Sequence, residues 1–103
     1  MPIYVDALMA RERTPRWRFD TSCHMFCEPG ELDQLHAFAQ ALGIPRRAFQ
    51  PREGLPHYDL YRELRMQALE MGALPAERRF VVDTIRRWRA VEAGPNVTFP
   101  NTP

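Results

Sequence analysis

The segment PGELDQLHAFAQALGIP, residues 29–45, constrains the fold most, because both ends of a helix can be located in it. A C-terminal stop is supplied by Gly43, and Pro45 prevents the helix from continuing. Between these limits the apolar residues recur at the spacing of one helix face, at Leu32, Leu35, Phe38, Ala39 and Leu42. The segment therefore predicts an amphipathic helix with one face packed on a core.

Strands are predicted before this helix and further helices after it. The β-branched and aromatic residues of PIYVDAL predict a strand at about 3–7, and SCHMFCE predicts a second. RRAFQ, residues 46–50, is either a third strand or an irregular connection. A second helix is predicted to begin at residue 59 or 60 and to end at Gly72, and an arginine-rich helix is predicted over 75–92.

This order predicts an α/β fold. A chain of 103 residues is long enough for one core but too short for two. We expect a small single domain at 1–93, with a short two- or three-stranded sheet packed against two to three helices, and a flexible tail at 94–103. A helix between SCHMFCE and RRAFQ suggests a βαβ-like crossover. Free sheet edges and the exposed face of the last helix predict a homodimer.

Composition bounds the location and the charge. No apolar run approaches the roughly 18 residues that a membrane span needs, and the N-terminus does not have the pattern of a secretory signal. We therefore expect a cytoplasmic protein with no membrane partner. The formal net charge is only +1, yet all 14 basic residues are arginine. This bias reflects either GC-rich codons or the recognition of phosphate and carboxylate groups by guanidinium groups.

The two cysteines, Cys23 and Cys27, do not have the two-residue gap of a zinc knuckle. On a strand both would face the side opposite to His24. We interpret them as small buried hydrophobic residues.

The sequence HYD at 57–59 has two interpretations. Asp59 is a suitable N-cap for the predicted second helix, because its carboxylate can accept from the first backbone N–H groups. That interpretation leaves His57 and Tyr58 unexplained, and a loop before a helix is a frequent position for functional side chains.

A metal site is one hypothesis for these residues. Asp6 ends the first predicted strand, and Asp6, His24, His57 and Asp59 together would supply two carboxylates and two imidazoles. Such a set suits a divalent metal and metal-assisted hydrolysis. These four are the predicted catalytic residues.

A phosphate site is the hypothesis that the sequence favours, with the metal-dependent hydrolase as its alternative. The segment RERTPRWRF places Arg16 and Arg18 around Trp17, a pattern that can hold phosphate and stack a base. Arg46 lies near Gln50 after the first helix. With Tyr58, these residues are the predicted contacts to a phosphorylated small molecule, a nucleotide or nucleic acid. Solvated loop arginines are the alternative, and a protein-interaction module without a ligand is the third hypothesis.

The motifs IYVD, CHM, LHAFAQALGI, FQ and PHYDL together resemble the bacterial and phage family called domain of unknown function 4031, over about residues 2–73. The resemblance implies no assigned activity, and it implies that the helix from residue 75 onward lies beyond the family's usual end. It also implies that several polar residues belong to one recurring pattern: Asp6, His24, His36, Gln50, His57, Tyr58 and Asp59.

Overall fold

The computed structural model describes residues 2–94, which form five strands, three α-helices and one short 3₁₀-helix. The strands are β1 Tyr4–Val5, β2 Met9–Ala10, β3 Thr21–Phe26, β4 His57–Leu60 and β5 Leu74–Pro75. The helices are α1 Leu32–Ala41, α2 Arg62–Glu70 and α3 Arg78–Ala93, with the 3₁₀-helix at Arg46–Ala48. Across these described residues, no helix has the length and apolarity to cross a membrane. The predicted flexible tail lies, from residue 95 onward, outside the described residues.

The central strand of the sheet is β3. On one side it pairs antiparallel with β1 and β2, and on the other side it pairs antiparallel with β4. β5 extends the sheet by pairing parallel with β1. The predicted small α/β fold is confirmed, although the sheet has five strands instead of two or three.

Helices cover both faces of this sheet. On the face of Met25 and Tyr58 lies α1, whose His36 ring contacts the Tyr58 hydroxyl at 2.8 Å. The other face carries Phe26, and Phe80 of α3 packs near it, with ring centroids 6.4 Å apart. The indole N–H of Trp88, also in α3, donates to the carbonyl of Cys27 at 2.8 Å. The hydrophobic core therefore includes the third helix.

The prediction that a helix begins at Asp59 is wrong. Residues 57–60 form β4, in which Tyr58 and Leu60 are buried on one face while Asp59 lies on the other. This period-two alternation matches the pleat of β3. Since Tyr61 is still extended, α2 begins only at Arg62, and Asp59 is not its N-cap.

The predicted βαβ-like crossover is also wrong. Residues 46–48 turn into a 3₁₀-helix, and Gln50 makes only an isolated antiparallel bridge with His57. The strand that follows α1 is therefore β4, which runs antiparallel to β3. An antiparallel neighbour needs no crossover, so the connection leaves β3 at Phe26 and enters β4 at His57, at the same end of the sheet.

The packing of β3 predicts unreactive thiols. Burial raises the pKa of Cys23 and of Cys27 to about 12, from an ordinary value of 9.0. Both thiols should resist iodoacetamide at pH 8 in the folded protein and react once it is unfolded in guanidinium, because the thiolate is the nucleophile. The raised pKa values also affect stability. The contribution of the two protonated thiols to the free energy of unfolding is complete below about pH 9 and is lost as the pH rises towards about 12. Rapid labelling of the native protein at pH 8 would contradict the assignment.

Candidate metal centre

Three potential metal ligands meet on the sheet face that α3 leaves partly open. In β4, His57 and Asp59 are two residues apart and so share a face, and the register places His24 of β3 opposite Asp59. One ligand atom from each of the three side chains lies within 4.8 Å of the others. We call His24, His57 and Asp59 the three-ligand cluster. Its atoms are close enough for one cation to bind all three.

The imidazole of His24 is held by Asp6, the residue after β1. Its Nδ1 lies 2.7 Å from Asp6 Oδ2, and its backbone N–H donates to Asp6 Oδ1 at 2.6 Å. The backbone carbonyl of Asp6 in turn accepts from Arg65 Nε at 2.8 Å. The hydrogen bond to Asp6 outweighs burial and raises the pKa of His24 above its ordinary value. With Nδ1 engaged, Nε2 is the nitrogen left for a ligand.

His57 is held differently. Its Nδ1 lies 2.7 Å from the carbonyl oxygen of Leu55, which can only accept, so Nδ1 carries the proton. Its Nε2 lies 3.3 Å from Asp59 Oδ1. In a neutral imidazole this nitrogen presents a lone pair towards another acceptor. A proton or a metal cation between the two atoms resolves that conflict.

The carboxylate of Asp59 is ionised in this setting. Its Oδ2 accepts a short hydrogen bond from Gln50 Nε2 and lies 3.4 Å from Arg11 Nη1. Burial alone would raise the pKa of Asp59, but the adjacent His57 ring, the hydrogen bond from Gln50 and the charge of Arg11 lower it below the ordinary value. The side chain is 14% exposed, so part of it still reaches solvent.

Two cavities adjoin the cluster. The small cavity, of about 270 Å³, is lined by His24 and His57 together with Arg52 and Arg89. The large cavity, of about 870 Å³, is lined by Asp59 and by residues of the loop after β2 and of the segment after α1. Its other polar and aromatic lining residues are Arg11, Arg16, Trp17, Arg47, Phe49 and Gln50. The cluster thus lies between two arginine-lined spaces.

The predicted catalytic residues come together, in two different positions. His24, His57 and Asp59 form the cluster, whereas Asp6 supports His24 from behind. Their closeness follows from the register of three strands.

The predicted ligand contacts are divided. Trp17, Arg16 and Gln50 line the large cavity. Arg46 and Tyr58 instead line a third cavity of about 570 Å³ on the opposite face of the sheet, next to His36. Arg18 is exposed and lines none of these three cavities. Only the first group is near the cluster.

Several residues near the cluster were not among the predicted contacts. Arg89 comes from α3, and no local motif connects that helix to the cluster. Gly54 has φ +85°, and both carboxylate oxygens of Glu92 lie 3.0 Å from its backbone N–H. A Cβ on Gly54 would lie 3.0 Å from Arg89 Nε. The glycine in PREGLP was therefore a signal for close approach of another element.

A family comparison gives the chain its place. The sequence model of the family described as "Protein of unknown function (DUF4031)" matches residues 3–88. The chain belongs to this family. The match confirms the resemblance seen in the motifs and extends beyond the expected end at residue 73, so that the DUF4031 region includes most of α3. Comparison with curated proteins gives no match, and comparison with solved structures gives none.

Proposed function

We propose that this DUF4031 protein is a small divalent-metal-dependent hydrolase that acts on a phosphate ester. The observation that carries the proposal is the three-ligand cluster, whose ligand atoms lie within 4.8 Å of one another. The Nδ1 atom of each histidine already faces an acceptor, the Asp6 carboxylate or the Leu55 carbonyl. Such outer hydrogen bonds are typical of metal-binding histidines, because they fix the ring orientation and leave Nε2 for the metal.

The ligand types favour a catalytic metal. Two imidazoles and one carboxylate are a known ligand set of catalytic zinc sites, in which a further position holds water. The same set also binds iron and other first-row metals. A metal of this kind lowers the pKa of its bound water to about 7 and so supplies a nucleophile near neutral pH.

The arginines favour phosphate as the substrate group. The large cavity contains Arg11, Arg16 and Arg47, and guanidinium forks bind phosphate oxygens in a bidentate manner. Arg11 is paired with Asp59, whereas Arg16 and Arg47 form no salt bridge with a carboxylate within residues 2–94. These two are therefore free to bind an anion beside the metal.

The first test is metal binding followed by hydrolysis. Untagged protein would be stripped with a chelator, and Zn²⁺, Mn²⁺, Co²⁺ and Fe²⁺ would each be titrated by calorimetry and by native mass spectrometry. We expect one ion per chain and metal-dependent release of p-nitrophenol from p-nitrophenyl phosphate or bis(p-nitrophenyl) phosphate. Absence of binding at millimolar metal would overturn the proposal. Binding without hydrolysis of any phosphate ester, these two or a larger one, would reject the catalytic role and leave a metal-binding module.

The support from Asp6 leads to a separate prediction. Asp6→Asn keeps the size of the side chain but removes the negative charge that orients His24. Changes to such outer partners typically weaken metal binding by about 10- to 100-fold, and we expect a loss in this range. The measurement is metal affinity by competition with a chromophoric chelator. Asp20→Asn, at an exposed carboxylate whose one ion pair within residues 2–94 is with exposed Arg13, is the matched control and should bind metal as the wild type does.

A further inference from the structure

We infer that the substrate is a phosphodiester within single-stranded nucleic acid, and that the strand passes across the metal centre from one cavity to the other. The inference rests on the proposed function, since it assigns a substrate class to the same site.

The position of the cluster between two cavities favours a phosphodiester over a phosphomonoester. His24 and His57 line the small cavity, and Asp59 lines the large one. Because their ligand atoms are within 4.8 Å of one another, a phosphate bound to a metal there would adjoin both cavities. A phosphomonoester has one organic substituent and would use one cavity. A phosphodiester has two, and they can extend into both.

The arginines in both cavities favour a substrate that carries several phosphates. The formal net charge of the chain is only +1, yet arginines line each cavity. In the small cavity Arg52 and Arg89 are accompanied by two carboxylates, the exposed one of Glu53 and that of Asp6, which is bound to His24. In the large cavity Asp59, itself a proposed metal ligand, is the only carboxylate among the lining residues that the structure describes. Positive groups on both sides of a metal suit a backbone that carries phosphates on both sides of the cleaved bond.

The aromatic residues of the large cavity favour a single-stranded nucleic acid. Trp17 and Phe49 are half-buried and line the cavity with the arginines. The indole of Trp17 is oriented by its N–H, which donates to the Thr21 carbonyl at 3.1 Å, and the guanidinium carbon of Arg11 lies 4.6 Å from its ring centroid. Bases stack on such aromatic side chains only when they are unpaired from a duplex, so the ligand is single-stranded.

The reaction on this substrate is hydrolysis. The oxygen of a water molecule forms a bond to phosphorus after losing one proton. The bond from phosphorus to one ester oxygen breaks, its electron pair stays on that oxygen, and the oxygen takes up a proton. One water is consumed for each ester bond, one product ends in a phosphate monoester and the other in a hydroxyl.

The test uses the full-length metal-loaded protein and end-labelled oligonucleotides. Single-stranded DNA, single-stranded RNA, the corresponding duplexes, p-nitrophenyl phosphate and bis(p-nitrophenyl) phosphate would be compared at several salt concentrations. We expect cleavage of at least one single-stranded oligonucleotide, slower cleavage of its duplex, and a kcat/KM that falls as salt rises. The DNA and RNA arms show which strand is accepted.

Two variants test whether the nucleic acid binds in the large cavity. Trp17→Ala should lower kcat/KM for the oligonucleotide about tenfold more than for bis(p-nitrophenyl) phosphate, because only the oligonucleotide has bases to stack. Arg13→Gln is the control, since Arg13 belongs to the same loop but is exposed and faces Asp20. It should leave oligonucleotide cleavage unchanged.

The failure of this inference can be separated from that of the proposed function. If metal does not bind, or if no ester is hydrolysed, the proposed hydrolase itself is wrong. If metal binds and a p-nitrophenyl ester is hydrolysed while all oligonucleotides stay intact, only the nucleic-acid assignment is wrong. Equal cleavage of duplex and single strand, or equal losses on both substrates in Trp17→Ala, would also overturn it.

Discussion

His57→Ala is expected to weaken metal binding by more than about 100-fold, since loss of a direct ligand should exceed the roughly 10- to 100-fold effect of losing an outer partner. The variant removes the nitrogen that faces Asp59 Oδ1 at 3.3 Å and leaves the carboxylate with only part of its partners. Hydrolysis should fall with metal occupancy. Metal titration by calorimetry, read together with metal-dependent ester hydrolysis, measures both effects.

Folding has to be separated from ligation in this experiment, because the His57 side chain is only 3% exposed. His24→Ala removes a second ligand at a side chain that is 38% exposed, and its thermal stability should change less. His36→Ala is the matched control, since His36 lies on the opposite sheet face and contacts Tyr58. We expect both cluster variants to lose metal and His36→Ala to keep it. If His24→Ala and His57→Ala bind metal as tightly as the wild type, the three-ligand cluster is not the site.

Local sequence signals predicted the helices better than the strands. The observed α1 at Leu32–Ala41 agrees with its predicted apolar face and its Gly43 stop, because periodicity and caps are local properties. The strand β4 has four residues directly before a helix. In so short a segment Asp59 fits a helix cap as well as a strand position. Residues 57–60 form a strand because they pair with β3, which lies more than thirty residues earlier in the chain. A local sequence pattern does not contain that partner.

For the candidate site, the sequence likewise indicated the residues but not how the fold brings them together. Residue type, position in the chain and the family resemblance selected His24, His57 and Asp59 as potential ligands, and the alternation of β3 correctly placed His24 on the side away from Cys23. The register that brings His24 opposite Asp59 had no signal in the sequence. Arg89 is likewise brought to the small cavity by the packing of α3, through the contact with Gly54.

Truncation of Trp88 in α3 is expected to cause a large loss of stability. Trp88 is 6% exposed and packs in the core, and its indole N–H donates to the Cys27 carbonyl at 2.8 Å. Truncation of a buried aromatic residue to alanine typically costs about 3–5 kcal/mol. Trp88→Ala should therefore lower the free energy of unfolding by this amount and the Tm by at least about 12 °C. Chemical denaturation followed by circular dichroism measures the first quantity, and calorimetry measures the second.

Trp88→Phe separates the hydrogen bond from the packing. The smaller ring keeps much of the apolar contact but leaves the carbonyl of Cys27 without the indole donor, at a cost of about 1–3 kcal/mol. Val91→Ala is the control on the same helix, because Val91 is 59% exposed, and its effect should stay within about 0.5 kcal/mol. A loss below about 1 kcal/mol in Trp88→Ala would mean that α3 unfolds independently of the sheet. The small cavity beside His24 and His57 would then lose the wall that Arg89 supplies without global unfolding, so this stability measurement also tests whether that cavity is a fixed part of the site.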